Sequence, residues 1–440
     1  MRTTLFVLMV LVGLLFAGFL YRQGYVEGGF GPAALLGATV LAVVVLILGL
    51  MTWLSGTRFR PIVVNALLVL TATTFTYIVV DFAAGRLLIV PLSPPLVPDP
   101  YRHHALVPDS YAELRQRDFH YIQRVNHFGL RGRETTVGKP PGTRRILMLG
   151  DSFTMGKGVE DDQTFSVLVE QELRARLATC SGGTVEVLNA GVDSYSPLLS
   201  YIQFSRDLVR FAPDLVILNL DHSDLVQEQA YRRQAVRDSS GEIVAVPQVW
   251  QQSLYERVLS WVSRNLYLTR ILLVHVNRAM DHRELTVRRV VNEFGREHFA
   301  HTLEGDVDRS AQWQDIFDSI VRIKTLSASI DADFLLATYP WGHQLANAGW
   351  EAGRKDLMKD GERTSNVTQQ TIRTHSTALG IDLLETLPDF KAYNSRGPLY
   401  FDYDPHWTPA GHRVMADSLA KFVRDHYISR WCTSISAKEP

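Results

Sequence analysis

Three runs near the start of the chain carry no charged residue at all, and they constrain the fold more than anything else in it. Thr3 to Tyr21 lies between Arg2 and Arg22, Gly28 to Thr57 has a dense apolar core from Ala33 to Leu54, and Pro61 to Val80 lies between Arg60 and Asp81. Each is near or above the ~20 residues that a helix needs to cross a bilayer. Core helices of soluble proteins rarely run so long without a charge, so the hydropathy predicts three transmembrane helices. For the first run a signal peptide is the alternative, although no clear small-x-small cleavage site precedes Tyr21. The positive charges give the orientation. Arg2 stands at the N-terminus and Arg58 and Arg60 in the second loop, whereas Arg22 in the first loop is offset by Glu27. With the N-terminus and the second loop inside, the chain after the third helix lies outside, on the periplasmic side of a bacterial inner membrane or its equivalent.

The remainder is a separate problem. At 440 residues the chain exceeds one compact domain, and its formal net charge of −1 gives no reason to expect nucleic acid. The Pro-rich stretch Val90 to Pro100, VPLSPPLVPDP, reads as an extended tether, because proline fixes its own φ and lacks an amide donor. Tyr101 to Gly142 is polar and irregular, with NHFGLRG (Asn126 to Gly132) as an ordered approach. The expected division is therefore an anchor over 1–89, a tether and approach segment over 90–144, and a catalytic domain over 145–430.

From Arg145 strands and helices alternate. Strands are expected at Arg145–Leu149, Thr184–Leu188, Asp214–Leu220, Ala332–Thr338 and Ile381–Leu384. Helices are expected at Gln163–Leu177, Leu198–Phe211, Trp313–Ile330, Thr364–Leu379 and Pro409–His426. Repeated βα units imply an α/β fold, a parallel sheet with helices on both faces. Leu225 to Arg309 is longer than a loop should be and reads as a helical insertion, either a lid or docking surface or simple padding. Its apolar stretch Leu266–Val276 is interrupted by Arg270 and is too short for a fourth crossing. Cys180 and Cys432 are the only cysteines; an oxidising compartment would let them pair, and two free thiols are equally compatible with the sequence. No metal-ligand spacing and no cofactor motif is present.

The chemistry gathers where ligands bind in such folds, at the carboxyl ends of the strands. The first strand runs into Gly150-Asp151-Ser152, with Gly156 and Gly158 soon after. Gly191 follows the second strand, Asp221-His222-Ser223-Asp224 the third, Trp341 the fourth, and Asp404-Pro405-His406-Trp407 precedes the last helix. A serine hydroxyl is a weak nucleophile and needs an adjacent base. His406 can take its proton, and Asp404 can hold the imidazole in the right tautomer. Residues i and i+2 of an extended segment project to one side, and Pro405 biases Asp404 toward that geometry. The amides of Ser152 and Gly191 are candidate oxyanion donors. Asp151 is the expected cap of the turn after the strand, and His412 an expected structural histidine. Trp341 and Trp407 are candidate substrate-binding aromatics, with ordinary packing as the alternative.

LGDSFTMGKG, NAGVDSYSP and DPHWTPAGH together resemble the SGNH (GDSL) hydrolase superfamily over most of 145–426. The resemblance implies a flavodoxin-like three-layer domain, with Ser152, Asp404 and His406 as triad and Gly191 as an oxyanion donor. It also implies an asparagine side-chain donor in the third block, where Ser223 stands here. The one-residue spacing between Asp404 and His406 is similar to that of a branch resembling alginate-type O-acetyltransferases. The activity so implied is that of an extracytoplasmic serine esterase or O-acyltransferase acting on acylated cell-envelope or exported polysaccharide. Its expected partners are the bilayer and a membrane acyltransferase or export machinery. Two other functions fit the same residues, an impaired glycan-binding scaffold and a membrane-surface lipase.

Overall fold

The computed structural model describes residues 60–87, 96–181, 183–248, 266–271, 296–305, 309–345, 349–351, 354, 358, 361–393 and 397–436. The chain forms two units, Met1–Pro94 with Gln251–Met280, and Pro95–Trp250 with Asp281–Pro440.

In the first unit, the first two uncharged runs lie outside the described residues. The third falls on a helix, α1 (Arg60–Leu87). Its stretch Val64–Asp81 has a mean hydropathy of 1.6 and is long and apolar enough to cross a membrane by length and composition. Large apolar side chains along it, among them Leu68 at 52% and Val69 at 66%, are exposed. Asp81 is the exception: it is buried and accepts the backbone N–H of Leu268 at 2.8 Å. Tyr77 shares a 2.8 Å hydrogen bond with Thr269. Part of the expected insertion therefore belongs with the N-terminal unit.

The second unit begins with two antiparallel hairpins where an irregular approach was expected. They are β1 (Leu96–Asp99) with β2 (His103–Leu106), and β3 (Ser110–Arg115) with β4 (His120–Val125). The next elements are β5 (Thr143–Leu149), α2 (Ser152–Met155), α3 (Phe165–Ser181), β6 (Thr184–Asn189), α4 (Pro197–Gln203) and β7 (Leu215–Leu220). Then come α5 (Asp224–Gln234), the small hairpin β8 (Val236–Arg237) with β9 (Ile243–Ala245), α6 (Ser310–Ser329) and β10 (Asp333–Thr338). The chain closes with α7 (Val367–Ala378), β11 (Asp382–Glu385), α8 (Leu387–Tyr393), α9 (Pro409–Val423) and α10 (Ser429–Ser436).

β5, β6, β7, β10 and β11 form one parallel sheet in the order β11-β10-β7-β5-β6. Counted along the chain this is 2-1-3-4-5, the flavodoxin-like doubly wound order. The strands read as continuous apolar runs because both faces are covered. Alternate residues of β5 show it. Ile146 and Met148 pack with Leu173 of α3 and Leu419 of α9 on one face. Leu147 and Leu149 pack with Phe317 and Ile320 of α6 and Ile372 of α7 on the other. The sheet order reverses between β5 and β7, and the crevice at their carboxyl ends is where such folds bind ligands. Cys432 on α10 is disulfide-bonded and sits against the core; the other cysteine of the chain is Cys180.

Candidate active site

β5 delivers the nucleophile block through a turn that only glycine fits. Gly150 has φ +149°, and a Cβ there would lie 2.3 Å from Thr154 Oγ1 and 3.0 Å from the Asn219 carbonyl. Asp151 caps α2, accepting the Phe153 N–H at 2.9 Å, and Tyr339 donates its hydroxyl to the same oxygen at 3.1 Å. Burial pushes the Asp151 carboxyl well above its ordinary range, and the Asp221 charge adds to the effect. Ser152 is the first residue of α2, so its amide is one of those without an intrahelical acceptor.

The loop after α2 is fixed from an unexpected quarter. Arg131, in the NHFGLRG approach, is buried and donates to the carbonyls of Met155, Gly156 and Val159 and to Asp161 at 3.0 Å. Its fork of donors suits several acceptors at once, which a lysine would not.

His406 lies across the crevice. Its Nε2 is 2.6 Å from Ser152 Oγ, and its Nδ1 is hydrogen-bonded to Asp404 Oδ1. The same oxygen accepts the His406 backbone N–H at 3.0 Å, so one carboxylate oxygen fixes both ring and backbone. These contacts set the tautomer: Nδ1 carries the proton toward Asp404, and Nε2 accepts from the serine. Burial alone would raise the Asp404 carboxyl, but the His406 charge and hydrogen bond outweigh it and hold it at about 2. Phe153 lies along the imidazole, ring centroids 4.6 Å apart.

Asp404 is itself held by a residue that sequence reasoning missed. Asp118, in the turn of the β3–β4 hairpin, accepts the backbone N–H groups of Tyr403 at 2.9 Å and Asp404 at 2.8 Å. The neighbouring Arg117 guanidinium sits 3.5 Å from the centroid of the Tyr403 ring, and Phe119 packs on Phe401 at 5.1 Å. The hairpin thus clamps the loop that carries Asp404. Nothing in the local sequence QRDF announces this; the alternation in HYIQRV was the available sign of a strand beside it. Lys157 and Asp193 stand near the same carboxylate, 3.8 Å apart. Burial would raise Asp193, and the Lys157 charge brings it below its ordinary range.

Of the remaining expected residues, His412 and Trp407 take the packing roles open to them, and Gly191, Ser223 and Trp341 are engaged by neighbours. Gly191 does require its small size, since a Cβ would meet the Met155 amide at 2.2 Å, but its own N–H is donated to Asn189 Oδ1 at 3.1 Å. Asn189 in turn donates to the Thr154 carbonyl at 2.9 Å, so it braces the back of the nucleophile turn. The Ser223 hydroxyl, expected to replace the asparagine donor, is donated to Asp221, which also accepts the Ser223 amide at 3.1 Å. A carboxylate two residues away outcompetes an empty oxyanion position for that proton. Trp341 and Trp407 are both buried, and neither offers a face to a ligand. The Trp341 indole donates to Asp221, and Trp407 packs edge-on against Phe153 and Tyr339 beneath His406. At a strand end the sequence cannot tell which way an aromatic turns, and here apolar burial wins. His412 is structural in its placement: its Nδ1 accepts the Phe165 amide at 3.3 Å, and burial holds it at about 3.

The arrangement sets a hydroxyl against one nitrogen of an imidazole and a carboxylate against the other, the geometry by which a serine can be activated. Among the described residues no group of three or more His, Cys, Asp or Glu side chains is placed to hold a metal ion.

Residues 352–435, which contain Asp404 and His406, match the family model described as SGNH hydrolase-like domain, acetyltransferase AlgX. No curated protein matches the chain. Among solved structures it is similar to an acetyl xylan esterase, AlAXEase, at 16% identity and a TM-score of 0.35, covering 63% of this chain and 99% of that one. It is also similar to a lipase/acylhydrolase from Enterococcus faecalis at 11% identity and a TM-score of 0.33, covering 64% and 96%. A putative lipolytic protein of the G-D-S-L family from Desulfitobacterium hafniense DCB-2 is similar at 11% and 0.30, covering 63% and 98%. Residues 352–435 thus resemble an SGNH hydrolase-like domain of the acetyltransferase type.

Proposed function

We propose that this chain is a membrane-anchored, extracytoplasmic serine esterase or O-acyltransferase. Its substrate is an acyl ester, O-acetyl above all, on a cell-envelope or exported polysaccharide. The observation that carries the reading is the 2.6 Å contact of Ser152 Oγ with His406 Nε2, with Asp404 on the far ring nitrogen. Ser152 Oγ attacks the acyl carbonyl while His406 takes the hydroxyl proton, and Asp404 stabilises the imidazolium. The tetrahedral oxyanion is met by the Ser152 amide and by the Gly191 amide once Asn189 yields it. As the C–O bond to the sugar breaks, His406 returns its proton to the leaving oxygen. Water, or a sugar hydroxyl, then attacks the acyl-enzyme by the same route in reverse. Hydrolysis and transfer use the same residues and differ in the acceptor. The family description of residues 352–435 as acetyltransferase-like favours transfer.

The anchor is read from the exposed apolar side chains of α1 together with the two uncharged runs before it. The external placement is supported by the arginine asymmetry and by the disulfide at Cys432. A transferase with so few crossings would take its acyl groups from a partner membrane acyltransferase.

The test is release of p-nitrophenol from p-nitrophenyl acetate by the full chain in detergent. Ser152→Ala is expected to abolish it, and unchanged turnover in that variant would remove Ser152 from the mechanism. Mass spectrometry of an acetylated polysaccharide, and of an unmodified oligosaccharide with an acetyl donor, then separates hydrolysis from transfer.

One observation favours a second reading. The Ser223 hydroxyl and the Gly191 amide both have partners other than substrate, as expected of an impaired domain that binds glycan without turning it over. A fluorophosphonate probe decides: a scaffold gives no adduct at Ser152 that depends on His406.

A further inference from the structure

A pocket of about 380 Å³ opens in the second unit and is lined by His301, Leu303, Arg309, Trp313, Val367 and Thr371 among others. That volume lies in the range of about 300–1,000 Å³ typical of small-molecule sites. Two helices begin at it, α6 at Ser310 and α7 at Val367. Each runs back to a strand of the parallel sheet, so both N-termini lie toward the carboxyl edge where ligands bind. Neither Arg309 nor Asn366 gives its helix a side-chain cap. Ser365 Oγ accepts the Val367 amide at 3.1 Å, and the other first-turn amides have no intrahelical acceptor.

The independent observation is His301. It is only 4% exposed, it lines the pocket, and neither of its ring nitrogens has a hydrogen-bond partner among the described residues. Buried polar atoms are normally paired, so two left open on one ring that lines a pocket call for a partner from outside the chain. Burial and the neighbouring His222 and Arg309 charges keep this imidazole neutral, so it offers one donor and one acceptor. A hydroxyl group answers both. Leu303, Trp313 and Val367 add apolar surface, with the Trp313 ring edge-on to His301 at 5.8 Å. Hydroxyls beside apolar C–H faces, with oxygens to accept from amides, describe a sugar ring. His301 also packs on His222, ring centroids 5.6 Å apart, and His222 adjoins the Asp221–Ser223 segment at the end of β7.

We propose that this pocket is a subsite for a pyranose residue, and that it seats a sugar of the glycan whose ester is turned over at Ser152. The second half rests on the function proposed above. The sugar hydroxyls pair with His301, and the ring stands against Leu303, Trp313 and Val367. A neutral or an acidic sugar satisfies the same chemistry, and a carboxylate would gain from the helix N-termini.

The experiment is isothermal titration of the full chain in detergent with xylohexaose and, separately, with a hexagalacturonate. Binding of either is expected, at least tenfold weaker in His301→Ala and in Val367→Trp. Val367 is 61% exposed, so the tryptophan fills the mouth without entering the core. Melting temperatures report whether each variant is folded. Tighter binding of the acidic hexamer assigns a carboxylate to the helix N-termini, and equal binding assigns the site to hydroxyls alone; both uphold the subsite. Binding that is the same in wild type and in a folded Val367→Trp overturns the proposal, as does a wild type that cleaves p-nitrophenyl acetate and binds neither hexamer. A wild type that binds a hexamer in this pocket and cleaves no ester instead overturns the reading of Ser152.

Discussion

Asp118 accepts the backbone N–H of Asp404 at 2.8 Å, so one carboxylate, presented by a hairpin, holds in place the carboxylate that orients the base. The two belong to different parts of the fold, and the position of Asp404 beside His406 depends on their docking. Asp118→Ala is expected to lower kcat for p-nitrophenyl acetate by about tenfold or more, because small displacements of a catalytic group are expensive. Asp118→Asn keeps an acceptor oxygen and should restore most of the loss. Steady-state kinetics on all three proteins, with KM expected to stay constant, checks this positioning role.

Asp404→Asn should leave the fold intact while presenting an amide to His406 Nδ1. In a Ser-His-Asp site, loss of the tautomer-fixing carboxylate lowers kcat by about 10⁴-fold. Fluorophosphonate labelling of Ser152 should slow in parallel, and a rate within threefold of wild type would remove Asp404 from the triad.

Buried histidines give the protein an acid limit. His412 and His343 are both held at about 3 by burial, well below the ordinary value of 6.5. Their folded-state pKa values are depressed, so the stability they allow is fully present above about 6.5 and is lost as pH falls toward 3. Asp404, held at about 2, adds a contribution that is present above about 3.8 and lost as pH falls through 2. Urea midpoints measured from pH 7 to pH 4 should therefore fall, and His412→Gln should flatten that slope.

Arg131→Ala should destabilise the second unit by about 3 kcal/mol, since it strands three carbonyls and the Asp161 carboxylate around a buried site. Arg131→Lys should recover less than half of this, because an ammonium cannot span the same acceptors. Thermal unfolding followed by tryptophan fluorescence measures both.

The sheet was legible because its strands are apolar enough to be buried on both faces, as LVILNL of β7 is throughout. The nucleophile turn was legible because Gly150, Asp151 and Ser152 each have a local physical reason to be there. The hairpins over 96–125 were not, because half-buried strands such as SYAELR mix exposed and buried positions and sit beside a proline-rich stretch. Asp118 and Arg131 were invisible for another reason. Their partners are backbone groups distant in sequence, which no composition or periodicity reveals. Ser223 shows the converse limit: alignment of a block assigned it a role, and a neighbouring carboxylate accepts its hydrogen bond instead.

Ser152 and His406 are 254 positions apart in the chain, and between them lie four strands of the sheet. During synthesis the nucleophile leaves the ribosome long before its base. The contact between them cannot form until the last loop and the closing helix arrive. Proteolysis that removes only the segment beyond Asp402 would leave the serine in place and silence it. Completeness of this site is therefore a property of the whole domain, and trimming at one end is enough to undo it.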